Sequence, residues 1–183
     1  GQARDGQLRQ RLAELVERIV ALEAEVPAHQ AELVGHSSGS FVMAMLAAAL
    51  RRHAQAVHLE PRLRLLSLGQ NLANLAVHKG AAAFHQDLLT LAAMPRLPWR
   101  DITSRDDYLC FAAVDPYRSC GLTPAPPTYP RLELINLAQR LQLHSWWGLI
   151  NHQFPLHFEY LHTSSVQRQD GFDYFDHLLG DLP

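Results

Sequence analysis

From Gln7 to Glu25 apolar residues recur every three or four positions: Leu8, Leu12, Leu15, Val16, Ile19 and Leu22. Arg9, Glu14, Glu17, Arg18 and Glu25 fill the opposite face. That period predicts an amphipathic helix with one stripe on a core. Val26-Pro27 ends it, because the residue before a proline is pushed out of the helical region. Ala31 to Val34 is short and apolar enough for a buried strand, and the Ala- and Met-rich run Ser40 to Leu50 has helical composition. Arg51, Arg52 and His53 close that helix, where cations suit the negative end of its dipole.

Pro61 introduces a second strand, Arg62 to Gly69, whose first residues alternate between polar and apolar. Asn71 to Leu91 reads as helical, broken at Lys79-Gly80, and Pro95 and Pro98 bracket a loop. Trp99 to Thr103 and Arg131 to Leu137 are predicted as the third and fourth strands, separated by the loop Ser104–Pro116 and by Gly121–Pro130 with its four prolines. Phe154 to Leu161 is aromatic-rich, and Gly171 to Leu179 is a candidate last helix. Helices alternating with short strands predict an α/β fold, a mostly parallel sheet flanked by helices, in a single domain spanning residues 1–183.

Composition narrows the function classes. The net charge of −2 carries no basic block, so nothing points to nucleic acid or to an anionic membrane surface. The longest apolar run, Phe41 to Leu50, is roughly half of what a bilayer-spanning helix needs. No secretory signal is visible, so a cytoplasmic setting is expected, with Cys110 and Cys120 as free thiols rather than a disulfide. The eleven histidines form no zincin-type pair with a glutamate, and the two cysteines stand ten apart without a partner pair. No metal and no cofactor are expected. His53 and His58 lie at a helix end.

The chemistry concentrates in Gly35-His36-Ser37-Ser38-Gly39. This Gly-x-Ser-x-Gly motif stands between a strand and a helix, the setting in which a sharp turn presents a serine as a nucleophile. Serine needs a base to take its proton, and an imidazole base needs a carboxylate to hold its tautomer. Asp101 sits inside the third strand, the wrong place for a group that must reach the sheet's C-terminal edge. Asp106 and Asp107 follow in the next loop; Asp107 is preferred and Asp106 is the alternate. Asp115, before Pro116, reads as a turn residue. Among His144, His152, His157 and His162, only His157 falls between the last strand and the last helix in the aromatic-rich segment.

Three blocks carry a resemblance: Gly35 to Ser40; Trp99, Asp107, Cys110-Phe111 and Asp115-Pro116; and Leu156 to Leu161 followed by Asp173-Tyr174-Phe175. From Gly35 to Leu179 the chain resembles the C-terminal half of an α/β-hydrolase, similar to bacterial serine hydrolase-like proteins. The resemblance implies a triad of Ser37, Asp107 and His157. It implies an ester or related acyl bond in a small-molecule substrate, and the Ser38 backbone N–H as one oxyanion donor. Family members carry further strands before the nucleophile, one of which is followed by a loop that supplies a second donor; here those strands and that loop are expected to be missing. The chain is then expected to be a fragment of a longer hydrolase or a reduced member. The nucleophile strand would be left at a sheet edge, favouring homo-oligomers. A non-catalytic hydrolase-like scaffold used for interaction is the alternative. Trp146, Trp147, Phe154, Phe158 and Tyr160 are candidates for an acyl pocket or for core aromatics, Tyr108 and Phe111 for pocket wall, and Met43 and Met45 for packing beneath the sheet.

Overall fold

Alternation of polar and apolar residues builds four short strands, and all four run parallel in one sheet of the computed structural model. The structure describes residues 2–27, 29–78, 81–94, 97–123, 130–162 and 172–180. Lys79-Gly80, Pro95, Gly171 and the prolines Pro124, Pro126 and Pro127 lie outside the described residues. In chain order the first half contains α1 (Gln2–Glu25), β1 (Ala31–His36), α2 (Gly39–Arg52), a 3-10 turn (Ala54–Arg62), β2 (Leu63–Leu68), α3 (Leu72–Ala76) and α4 (Ala82–Ala92). The second half contains β3 (Trp99–Thr103), α5 (Pro116–Ser119), β4 (Arg131–Leu134), α6 (Leu137–Arg140), α7 (Trp146–Asn151), α8 (Gln153–Phe158), a 3-10 turn (Glu159–Leu161) and α9 (Tyr174–Leu179).

Strand order follows chain order, β1-β2-β3-β4. Ala31 pairs with Leu63 and His36 with Leu68, Leu65 with Trp99, and Thr103 with Leu134. This register brings Ser37, Gly69, Ser104 and Ile135 to the same end of the sheet, where loops of a parallel sheet gather function. Backbone hydrogen bonds continue across that end, from Ser37 N–H to Leu68 O at 2.9 Å and from Gly69 N–H to Ile102 O at 2.9 Å.

Each face of the sheet has its own core. Leu63, Leu65 and Trp99 point to one face and pack with Leu12 and Val16 of α1, Met43 and Met45 of α2, and Phe84 and Leu88 of α4. Leu66, Leu68 and Ile102 point to the other and meet Ile135, Leu137, Leu156, Tyr160 and Phe172. Of the predicted α1 stripe, Leu8, Leu12, Val16 and Ile19 reach the core while Leu15 and Leu22 stay exposed. The contact arc of α1 is therefore narrower than its apolar stripe. The aromatic-rich stretch becomes α8 with Pro155 in its first turn, where a missing N–H costs nothing. The loop after β3 contains α5, capped by Asp115, whose side chain accepts from Tyr117 N–H. Asp115 thus serves as a helix cap rather than as a plain turn residue.

Arg52 does more than sit at a helix end. It donates to the buried Asp87 of α4 at 2.6 Å, and Arg9 of α1 donates to the other carboxylate oxygen at 3.1 Å. One carboxylate so joins α1, α2 and α4 on that face. On the opposite face His177 of α9 bonds Glu32 of β1 at 2.8 Å and Arg100 of β3 at 3.2 Å. Arginine only donates, so His177 Nδ1 accepts and Nε2–H donates to the carboxylate. Arg100 holds Glu133 of β4 with two bonds, at 2.9 and 2.7 Å. No described helix is long and apolar enough to cross a membrane.

Gly35 shows why the turn motif begins with glycine. A Cβ there would lie 2.8 Å from Ser40 Cα and 2.9 Å from both Gly39 O and Met43 Cβ. Gly39 has open space around it, so only the first glycine is needed for packing. Gly35→Ala is expected to cost about 1–3 kcal/mol by overpacking β1 against α2, read as a lower urea midpoint. Among the described residues β1 pairs on one side alone. Its open edge is expected to drive self-association in sedimentation, and a monodisperse monomer would count against that.

Candidate active site

Ser37 adopts φ 54°, the left-handed conformation that a non-glycine residue takes up only under local constraint. The constraint is visible. Ser40 Oγ donates to Ser37 O at 2.6 Å and Ser40 N–H to the same oxygen at 3.1 Å, while the close β1–α2 packing at Gly35 leaves no room for a gentler turn. Ser37 is half-buried, and Ser38, the N-cap of α2, is exposed. The first amides of a helix lack intrahelical acceptors, so this turn offers N–H groups beside the serine.

Asp107 and His157 meet as a buried pair. His157 Nδ1–H donates to Asp107 Oδ2 at 2.7 Å, with side-chain exposures of 6% and 0%. A carboxylate accepts, so Nδ1 carries a proton. Tyr160 OH donates to the same Oδ2 at 3.1 Å, and Leu109 N–H to Oδ1 at 3.0 Å. Asp106 is spent elsewhere: its Oδ2 accepts from Ser104 Oγ at 3.2 Å and from Ala138 N–H at 3.0 Å, tying the loop to α6. Gln153 of α8 completes the tie by donating to Asp106 O at 3.0 Å and accepting from Tyr108 N–H at 2.7 Å.

His36 joins the Ser37 turn to His157. Its Nε2–H donates to His157 O at 2.6 Å, and the two rings lie 4.8 Å apart between centroids. Burial pulls its pKa below the ordinary histidine value, although the bond to the His157 carbonyl acts the other way. Ser37 Oγ accepts from Asn71 Nδ2 at 3.3 Å, and among the described residues no hydrogen bond joins it to the His157 ring. The structure thus brings Asp107 and His157 into contact, places Ser37 one residue from the His157 contact, and gives Ser37 a partner that motif reading missed. The available signal was positional: Asn71 follows β2 at the sheet end shared with Ser37.

Gly69 allows this crowding. It has φ 52°, and a Cβ would stand 2.7 Å from Tyr160 Cε2 and 3.3 Å from Asp107 Oδ2. Beneath it lies Asp101, fully buried. Ser67 Oγ donates to Oδ1 at 2.6 Å, Gln70 Nε2 to Oδ2 at 3.4 Å, and Trp99 Nε1 to Ser67 Oγ at 3.0 Å. Asp101 does not reach the sheet edge, in line with its position inside the strand.

Of the aromatic candidates, Tyr160 is core, whereas Trp146, Trp147 and Phe154 are 60%, 68% and 73% exposed on α7 and α8. Phe158 is exposed beside His36, with ring centroids 5.1 Å apart. A cavity of about 480 Å³ is lined by Ala113, Val114, Asp115, Arg118, Ser119 and Leu132, none of them a triad candidate. Cys110 and Cys120 are free thiols. Burial pushes the Cys110 thiol up to about 12, which suppresses its thiolate. No cluster of three potential metal ligands occurs among the described residues.

Comparison with known proteins finds no matching family model, curated protein or solved structure. The reading of this site therefore rests on its own geometry.

Burial raises Asp101 to about 7, outweighing the hydrogen bonds from Ser67 and Gln70 that favour its charged form. The native state then holds a proton that the unfolded chain releases near pH 4. Stability is lost as pH rises from the unfolded pKa through the folded one, by about 4 kcal/mol in total. Relative to wild type, Asp101→Asn is expected to gain stability progressively between about pH 4 and pH 8, followed by urea denaturation across that range. A pH-independent difference would refute the assignment.

Proposed function

We propose that the chain is a serine hydrolase acting on an ester or related acyl bond, with Ser37 as nucleophile, His157 as base and Asp107 as its orienting carboxylate. The observation that carries this reading is the buried His157–Asp107 bond at 2.7 Å, at the same sheet edge as a serine held at φ 54°. A neutral histidine with Nδ1–H committed to a carboxylate leaves Nε2 free to accept a proton.

In the proposed reaction Ser37 Oγ attacks the acyl carbon as His157 Nε2 takes the hydroxyl proton. The carbonyl π pair moves to oxygen, and the Ser38 N–H donates to that oxyanion. Collapse expels the leaving alcohol, which receives the proton from His157 and leaves an acyl-Ser37 ester. Water then attacks that ester with His157 again as base, releasing the acid and restoring Ser37. The reading does not require a Ser37–His157 bond beforehand, since catalytic hydrogen bonds often tighten only once substrate binds. Exposed Phe158, Phe154, Trp146 and Trp147 offer apolar surface for an acyl group. Free Cys110 and Cys120 agree with a cytoplasmic setting.

The same missing bond favours a second reading, a hydrolase-like scaffold that binds without catalysis. A fluorophosphonate probe separates the two. Labelling of the wild type at Ser37, lost in Ser37→Ala, is expected for the hydrolase. Asp107→Asn is expected to lower kcat by about 10⁴-fold, because an amide at that position stabilises the wrong imidazole tautomer. A folded wild type that neither reacts with the probe nor hydrolyses p-nitrophenyl acetate would leave the scaffold reading standing.

A further inference from the structure

The hydrolase reading supplies one oxyanion donor, the Ser38 N–H, and attack on an acyl carbon gains most when two or more donors converge on the developing charge. We propose that Asn71 is the second: a catalytic residue whose side-chain amide donates to the oxyanion formed when Ser37 attacks. The inference rests on the proposed hydrolase chemistry and adds a residue that its sequence pattern does not contain.

The position of Asn71 is unusual for its type. It stands at the N-cap of α3, where an asparagine side chain normally accepts from an amide one turn ahead. Here it makes no capping bond. The Leu72 N–H is taken by Gln70 Oε1 at 2.7 Å, and the Asn71 amide turns across the β1–β2 gap to Ser37 Oγ at 3.3 Å. Because Nδ2 donates in that contact, it occupies a lone pair of the serine oxygen and leaves the hydroxyl proton available to a base. In the tetrahedral species the serine oxygen and the oxyanion are bonded to one carbon. A donor within reach of the first comes within reach of the second by a small side-chain rotation.

Electrostatic stabilisation works only if the donor is held before the charge appears. Asn71 is held through its neighbours. Gln70, fully buried, donates to Asp101, to Phe111 O at 3.2 Å and to Val114 O at 3.1 Å, and its own carbonyl accepts from Phe111 N–H at 3.0 Å. Gly69 N–H is fixed on Ile102 O. The Asn71 N–H donates to Ser40 Oγ at 3.4 Å, and that hydroxyl donates to Ser37 O at 2.6 Å. Nucleophile and amide are therefore referenced to one buried hydroxyl. Asn71 itself is half-buried, which leaves its amide open to a bound substrate.

The test is steady-state hydrolysis of p-nitrophenyl acetate by the full chain, with the rate of fluorophosphonate labelling measured in parallel. Asn71→Ala is expected to lose about 10²–10³-fold in kcat with KM changed less than about threefold, and to slow labelling similarly. Asn71→Asp keeps the shape but offers a carboxylate, and is expected to lose at least as much near neutral pH. Thermal unfolding midpoints establish that each variant is folded. A folded variant of either kind with kcat within about threefold of wild type overturns the assignment while Ser37-dependent activity persists. Absence of Ser37-dependent turnover and labelling in the wild type defeats the hydrolase reading and this assignment together.

Discussion

A single buried carboxyl group ties together the end of this sheet where Ser37, Asn71 and Asp107 lie. Asp101 lies within β3, yet its hydrogen bonds run to Ser67 on β2 and to Gln70 just beyond it. Gln70 in turn holds the carbonyls of Phe111 and Val114 in the loop that follows β3. Two strands and two loops thus share one buried polar centre. Such a centre is costly to leave half-satisfied, so the loops cannot drift independently of one another. The loop after β3 and the turn after β2 both attach to that centre through Gln70.

Around this anchor the site is assembled by close approach rather than by long-range charge. Glycine at position 35 lets β1 and α2 come together tightly enough to force Ser37 into its bent conformation, and glycine at position 69 lets Tyr160 and Asp107 close over the end of β2. Tyr160 then shares the carboxylate oxygen that orients His157. His36 links the two halves, with its ring against His157 and its Nε2–H on the His157 carbonyl. His157 is held by backbone and side chain at once.

Much of the frame is legible in the chain because periodicity reports burial directly. All four strands fall on runs with alternating or continuous apolar residues, and the bend at Ser37 follows from small residues between a strand and a helix. The site is less legible, for reasons of geometry. Asp106 and Asp107 are chemically identical neighbours; only contacts with Ala138 and with His157, more than thirty residues away, separate the tether from the partner of the imidazole. Asn71 is legible only by its place after β2, since its contact with Ser37 comes from the lateral pairing of β1 with β2. Leu15 and Leu22 mark the opposite limit, a pattern wider than the surface that receives it.

The histidine of α9 has a consequence for how the outer strands are held. β1 and β4 are the two margins of the sheet and share no ladder, but His177 grips Glu32 on one margin while its partner Arg100 grips Glu133 on the other. A six-residue helix at residues 174–179 therefore acts as a buckle across the full width of the sheet. Removing that helix would release Glu32 on β1 and take from Arg100 its His177 contact, so the strand that leads into Ser37 depends for part of its restraint on residues more than 130 positions downstream.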